Sequence, residues 1–299
     1  VGCGLHRSDP RVVSLLPILR LLRVGTLFSP AADVVASAAI LGLPWSGDLV
    51  RATAASVLLY AAGMVWNDIA DRRLDAVQRP ERPLPRGDVT LPFALTLGTA
   101  LLAGGLLLSP CRAHHGLIAA LVLAYDFGSK HIEWLGALVM GSLRALNLAT
   151  GIALAQELGP VDAERARLCW VAASCYGVYI LGVTVLGIFE DLDKPKARAV
   201  SAVQTAPPLA ALSGLWTVQG GFWPVPAIAA LPILLFLRRN TRMRAWPKAE
   251  IRRSMTFLLL GTMLYTALLA AASGHWLEAA AIAALIAPAR WVARRIALT

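Results

Sequence analysis

The chain has 299 residues, of which 57% are hydrophobic and 15% charged, with a mean hydropathy of +0.63. That balance is too apolar for a water-soluble domain of this length and points to an all-α integral membrane protein. A net charge of +10 would suit nucleic acid if it covered a soluble surface, but the bases sit in short gaps between apolar stretches, which excludes that partner.

The residues before 24 read as a basic cytoplasmic tail without the basic start, short apolar core and small-residue cleavage site of a signal peptide, so the first span is expected to remain as an anchor. Stretches near the roughly 20 residues needed to cross a bilayer then recur at 24–43, 48–66, 89–109, 115–129, 132–156, 168–189, 200–219, 222–237, 254–273 and 276–293. They predict one polytopic domain over residues 1–299, a bundle of about nine transmembrane helices over 24–293, with a short tenth span at the C-terminus that contains Glu278. Lys and Arg concentrate in alternate gaps, before residue 24, in 67–88, at Lys130, in 190–199, in 238–253 and at the C-terminus. The opposite gaps hold only Arg51, Arg112, Arg165 and Arg167. The positive-inside rule therefore predicts a cytoplasmic N-terminus and a cytoplasmic 67–88 segment, as in a bacterial inner-membrane protein. Cys3, Cys111, Cys169 and Cys175 have no metal-ligand spacing and read as packing residues.

The 67–88 segment carries the chemistry. Asn67, Asp71 and Asp75 are spaced four apart, with Asp68 beside them, so on a helix successive members of the series lie about 40° round from one another and project from one face. Such an oxygen-rich face can hold magnesium, which takes carboxylate oxygens together with substrate phosphate oxygens and water. Arg79, Arg82 and Arg86 follow in a loop stiffened by Pro80, Pro83 and Pro85; their guanidinium groups either face a phosphate or simply follow the cytoplasmic bias. Several acids deep in lipid would be costly, so the face is expected to line a wet cavity.

Tyr125, Asp126, Lys130 and His131 cluster at the next cytoplasmic gap, where Tyr125 and Lys130 are either phosphate contacts or interfacial anchors. Arg144 lies inside a span and shares a face with Asn147 at i, i+3; it either binds a charged ligand or pairs with a structural acid. Glu190, Asp191 and Asp193, followed by Lys194, form a second acidic group that could hold a second metal or be a solvated loop. The bases from Arg238 to Arg253 suit anionic lipid. Adjacent His114 and His115 point apart on a helix and make a poor metal pair. Trp66, Phe127, Tyr176 and Tyr179 are aromatic candidates for a cavity wall, or for packing.

Asn67-Asp68-x-x-Asp71-x-x-x-Asp75 resembles the first aspartate-rich motif of the UbiA superfamily of membrane prenyltransferases, and Arg82-Pro83-Leu84-Pro85-x-Gly87 resembles the loop that follows it. Within that superfamily the chain is similar to the EboC-like branch, through Glu81-Arg82-Pro83, Tyr125-Asp126 before Lys130-His131, and Met140-Gly141 before Arg144 and Asn147. The resemblance implies a helical cavity open to cytoplasm and lipid that binds an isoprenyl diphosphate through Mg2+ and passes the prenyl group to an aromatic or lipophilic acceptor. It implies Asn67, Asp68, Asp71 and Asp75 as metal or diphosphate ligands, Glu190, Asp191 and Asp193 as a second set, and Arg79, Arg82, Lys130 and Arg144 facing phosphate oxygens. The chain departs from the pattern in a shorter Asp75-to-Arg82 stretch, a Tyr125-to-Lys130 spacing longer by one, and a second motif without Asp-x-x-x-Asp. Two rival activities fit the same residues, a membrane terpene cyclase and a non-catalytic lipid-phosphate carrier. A CDP-alcohol phosphotransferase does not, because the glycines it requires between its aspartates are missing between Asp71 and Asp75.

Overall fold

The computed structural model describes residues 15–192, 195–219 and 224–296, and every regular element among them is helical. In chain order these are α1 (Leu15–Leu21), α2 (Phe28–Leu41), α3 (Gly47–Gln78), α4 (Leu91–Leu108), α5 (Arg112–Phe127), α6 (Glu133–Leu148), α7 (Thr150–Leu158), α8 (Ala163–Asp191), α9 (Ala197–Val218), α10 (Pro224–Arg242), α11 (Lys248–Ala272) and α12 (Trp276–Arg295). Each of the ten apolar stretches becomes helical, the 132–156 stretch as the pair α6 and α7. Among the described residues seven segments are long and apolar enough to cross a membrane. α5 is short of that length, and α9 and α10 carry Pro207, Pro208 and Pro232 inside them. The protein is thus an all-α, multi-pass membrane protein. Within the expected N-terminal tail, Leu15–Leu21 is helical and buries Leu21 beside Val65 and Ile69 of α3.

The length of α3 sets up the site. Ser46 caps its start, accepting the Leu49 N–H at 3.2 Å, and Asp48 in the first turn complements the helix dipole. Its 32 residues rise about 48 Å, against a hydrocarbon core of about 30 Å. Residues 47–66 suffice to cross, so the turns carrying Asn67 to Asp75 stand beyond the apolar core. Arg79 leaves helical geometry, and Pro80 and Pro83 prevent resumption. The loop then folds back through Arg86 N–H to Arg82 O, Gly87 N–H to Leu84 O and Val89 N–H to Pro83 O bonds. Gly87 takes φ 79°, a left-handed conformation suited to glycine.

Packing places the remaining elements around this helix. α3 contacts α2, α4 and α5, and α8 contacts α6, α9 and α11. The α6–α8 crossing depends on two glycines: a Cβ on Gly141 would lie 2.7 Å from the Gly177 carbonyl oxygen, so the two backbones touch as small-residue membrane crossings do. That contact brings Arg144, one turn along α6, beside Tyr176 of α8. At the end of the bundle that carries Asp71, Arg20 Nε donates to the Ile296 carbonyl at 3.2 Å, joining the start of the described chain to the end of α12. Trp45 and Glu278 meet at the other end, 3.1 Å apart.

Candidate active site

A cavity of about 490 Å³ lies between α3, α5 and α6. Its wall includes Asn67, Asp71, Arg79, Arg82, Tyr125, Asp126, Lys130, His131, Arg144 and Asn147, all singled out in the sequence, together with Arg23 and Tyr60. Charged residues gather at one end and a second polar group at the other, separated by Gly63, Met64, Ile118, Val122 and Leu143. The cavity is therefore a polar mouth, an apolar waist and a polar inner end.

At the mouth the four oxygen-bearing residues of α3 divide into two pairs. Lys130 Nζ lies 2.7 Å from Asp71 Oδ1 and 3.2 Å from Asn67 Oδ1. Arg82 Nη1 lies 2.6 Å from Asp75 Oδ2 and 3.4 Å from Asp68 Oδ1, and Arg23 Nη2 lies 3.0 Å from Asp68 Oδ1. Helical geometry accounts for the split, because the four positions cover an arc of about 100°. Asn67 and Asp71 occupy the edge over the cavity, whereas Asp75 and Asp68, only 2% and 4% exposed, turn beneath the 79–90 loop. Among the described residues no group of three or more His, Cys, Asp or Glu side chains gathers as a metal cage. The donors open to the cavity nevertheless suit magnesium, which commonly uses one or two protein oxygens and takes the rest from phosphate and water. Both donors already hold one cation, the Lys130 ammonium, so their geometry accommodates positive charge.

The inner end is a buried network. Arg144 Nη2 lies 3.0 Å from Asp33 Oδ2 and donates to Ser29 Oγ and Tyr176 Oη, each at 2.5 Å. Asn147 Nδ2 donates to Asp33 Oδ2 at 2.8 Å and to the Pro30 carbonyl at 3.1 Å. The guanidinium also lies 5.3 Å from the Tyr176 ring centre and 5.7 Å from that of Tyr60, within cation–π range. Tyr60 precedes Asn67 by two turns of α3, about 10 Å along the axis. Arg144 thus stands apart from the mouth charges, bonded to an acid, and does not share their contacts.

The second acidic group is dispersed. Glu190 pairs with Arg252 at 2.7 Å, away from the cavity. Asp191 lines an adjoining cavity with Glu133, which shares Tyr125 and Lys130 with the first. Asp193 and Lys194 lie outside the described residues. The aromatic candidates Trp66, Phe127, Tyr176 and Tyr179 do not line the main cavity; Trp66 and Phe127 pack edge to face, and Tyr179 stacks on Tyr265. His114 and His115 have separate partners, the Leu146 carbonyl and Ser56. Arg23, Ser29, Asp33 and Tyr60 were not singled out by the sequence. Asp33 carried a usable signal, an acid inside an apolar span that must answer an intramembrane arginine.

The family model described as the UbiA prenyltransferase family matches residues 27–261. A digeranylgeranylglyceryl phosphate synthase of Thermococcus kodakarensis is 26% identical over 233 residues, covering 70% of this chain and 81% of that protein. A 4-hydroxybenzoate octaprenyltransferase of a Polaromonas species is 34% identical over 142 residues, covering 44% of this chain and 49% of its own. The fold is similar to the apo structure of a UbiA homolog from Aeropyrum pernix, with a TM-score of 0.62, 19% identity, and coverage of 87% of this chain and 96% of that one. A UbiA homolog from Archaeoglobus fulgidus bound to GPP and Mg2+ gives a TM-score of 0.56 at 13% identity, covering 86% of this chain and 99% of that one.

Proposed function

Because the chain belongs to the UbiA prenyltransferase family, we propose that it transfers a prenyl group from an isoprenyl diphosphate to a lipophilic acceptor, releasing pyrophosphate. The observation that carries this reading is the mouth of the cavity, where Asn67 and Asp71 face Lys130 with Arg79 and Arg82 alongside. The relatives named above as prenyl-transferring enzymes support a long isoprenyl donor, and the neighbour bound to GPP and Mg2+ supports magnesium as the metal.

Asp71 and Asn67 would hold the magnesium ion, which when bound supplies positive charge to the diphosphate oxygens. Lys130, Arg79 and Arg82 contribute fixed cationic donors to the same oxygens, and Tyr125 borders them. As the C1–O bond breaks, its electron pair leaves with pyrophosphate, and these side chains stabilise the developing charge without reorganising. The apolar waist borders C1 and keeps water from it. The acceptor supplies the electron pair of the new bond to C1 and then loses a proton. Arg82 has a second task, neutralising buried Asp75 and Asp68 so that the end of α3 stays helical next to the site. The distribution of Lys and Arg supports a mouth on the cytoplasmic side of the membrane.

Product analysis tests this reading. Purified protein in lipid, given labelled geranylgeranyl diphosphate and magnesium, should form a larger prenylated product only when a lipid extract supplies acceptors. A cyclised hydrocarbon formed without extract would identify a cyclase, and no product in either case would refute prenyl transfer.

A further inference from the structure

The inner end of the cavity has donors and an acceptor that a prenyl chain cannot satisfy, and an ionised diphosphate has no donor to offer the acceptor. All Arg144 hydrogen bonds to described residues use Nη2, leaving Nε and Nη1 without a partner there, although the residue is only 8% exposed and lines the cavity. Asn147 commits Nδ2 to Pro30 and Asp33, so its Oδ1 is the amide atom turned away from them, and it too has no partner among the described residues. A hydrocarbon chain against these groups would leave buried polar atoms unpaired, each at a cost of about 1–3 kcal/mol. What fills this end therefore carries a polar atom of its own.

Its charge follows from Asp33. The Arg144 guanidinium is already paired with the fully buried Asp33 carboxylate, so an anion arriving here would meet a neutral pair with a carboxylate behind it. An uncharged hydroxyl fits both open groups, accepting from Arg144 and donating to Asn147 Oδ1. The flat face of Tyr60 beside Arg144 suits a planar ring. Inner end and mouth lie about two turns of α3 apart, roughly 10 Å. An acceptor docked at Arg144 would lie on the path from the inner end to the mouth of the same cavity.

We infer that Arg144 and Asn147, held by Asp33, form the acceptor-recognition subsite, and that the acceptor is a planar, uncharged molecule whose hydroxyl docks there while its far edge faces C1. This deepens the proposed transferase reading and removes Arg144 from the diphosphate contacts implied by resemblance.

Binding measurements separate the two claims. Protein in lipid nanodiscs is titrated with 2-naphthol, with 2-methylnaphthalene, which replaces the hydroxyl by methyl, and with the anion 2-naphthoate, each corrected for uptake by empty nanodiscs. Magnesium and the unreactive geranylgeranyl thiolodiphosphate are titrated separately. The wild-type protein should bind 2-naphthol at least tenfold more tightly than either analogue. Arg144→Gln should remove that preference with thiolodiphosphate affinity within threefold of wild type, and the Asp33→Asn/Arg144→Gln pair, which leaves no unpaired buried charge, should do the same if the single variant fails to fold. Equal binding of the three probes by wild type, or a preference that survives in the variants, would overturn the subsite. So would a tenfold loss of thiolodiphosphate binding in a folded variant, which would return Arg144 to the diphosphate. Failure of wild type to bind thiolodiphosphate would count against the transferase reading alone, since the naphthol comparison does not depend on it.

Discussion

Lys130 Nζ, in the turn between α5 and α6, lies 2.7 Å from Asp71 Oδ1 on α3, which joins two segments 59 residues apart in sequence across the mouth of the cavity. The pair ties the two halves of the proposed diphosphate site together, one side offering oxygens to a metal and the other a cation to phosphate. Asp71→Asn is expected to reduce magnesium-dependent turnover by at least about 100-fold, the scale of removing one preorganised electrostatic partner, with normal membrane insertion. Steady-state rates of the purified variant check this, and near wild-type activity would remove Asp71 from the site.

Lys130→Met keeps the aliphatic stem but deletes the charge. A hydrogen bond to a charged group contributes about 1.5–3 kcal/mol, so the affinity for a prenyl diphosphate should fall by about 10- to 100-fold. Direct binding with magnesium present measures the change, and unaltered affinity would make Lys130 an interfacial anchor.

Arg82 should matter for stability as well as binding. It is the shared partner of Asp75 and Asp68, and deleting one partner of a buried ion pair commonly destabilises by about 3–5 kcal/mol. Arg82→Ala should therefore lower the melting temperature more than Arg79→Ala, whose guanidinium has no ion pair among the described residues. Comparable melting of the two variants would show that the clamp contributes little.

The second acidic group should behave unevenly. Glu190 pairs with Arg252, whose side chain is 75% exposed, and exposed pairs contribute under about 1 kcal/mol. Glu190→Gln is expected to keep activity within about twofold, while Asp191→Asn, on the cavity shared with Lys130, should reduce it clearly. Rates of the two variants side by side decide the point, and the reverse order would assign the second site to Glu190.

Much of the mouth was legible because its signals are local. A four-residue spacing of oxygen ligands, prolines that end a helix and a lysine in a short gap between two apolar stretches can each be read from neighbouring residues, and Asn67, Asp71, Arg79, Arg82, Tyr125 and Lys130 all reach the cavity. The division of the α3 acids was not legible, because it depends on which edge of a 100° arc the 79–90 loop covers and on Arg23 arriving from another segment. Asp33 was missed for a related reason. Its partner Arg144 is 111 residues away, and only the Gly141–Gly177 contact, a packing event between helices, brings Tyr176 into that network.

The central claim, a metal-assisted prenyl diphosphate site built on Asp71 and Lys130, is tested most directly by pyrophosphate release. Purified protein in lipid would be assayed with geranyl, farnesyl and geranylgeranyl diphosphates plus a lipid extract, with magnesium or with EDTA, and with Asp71→Asn as control. The account predicts release that requires magnesium, stops on chelation and is lost in the variant. Release that persists in EDTA or in Asp71→Asn, or no release from folded wild-type protein with any of the three donors, would contradict it.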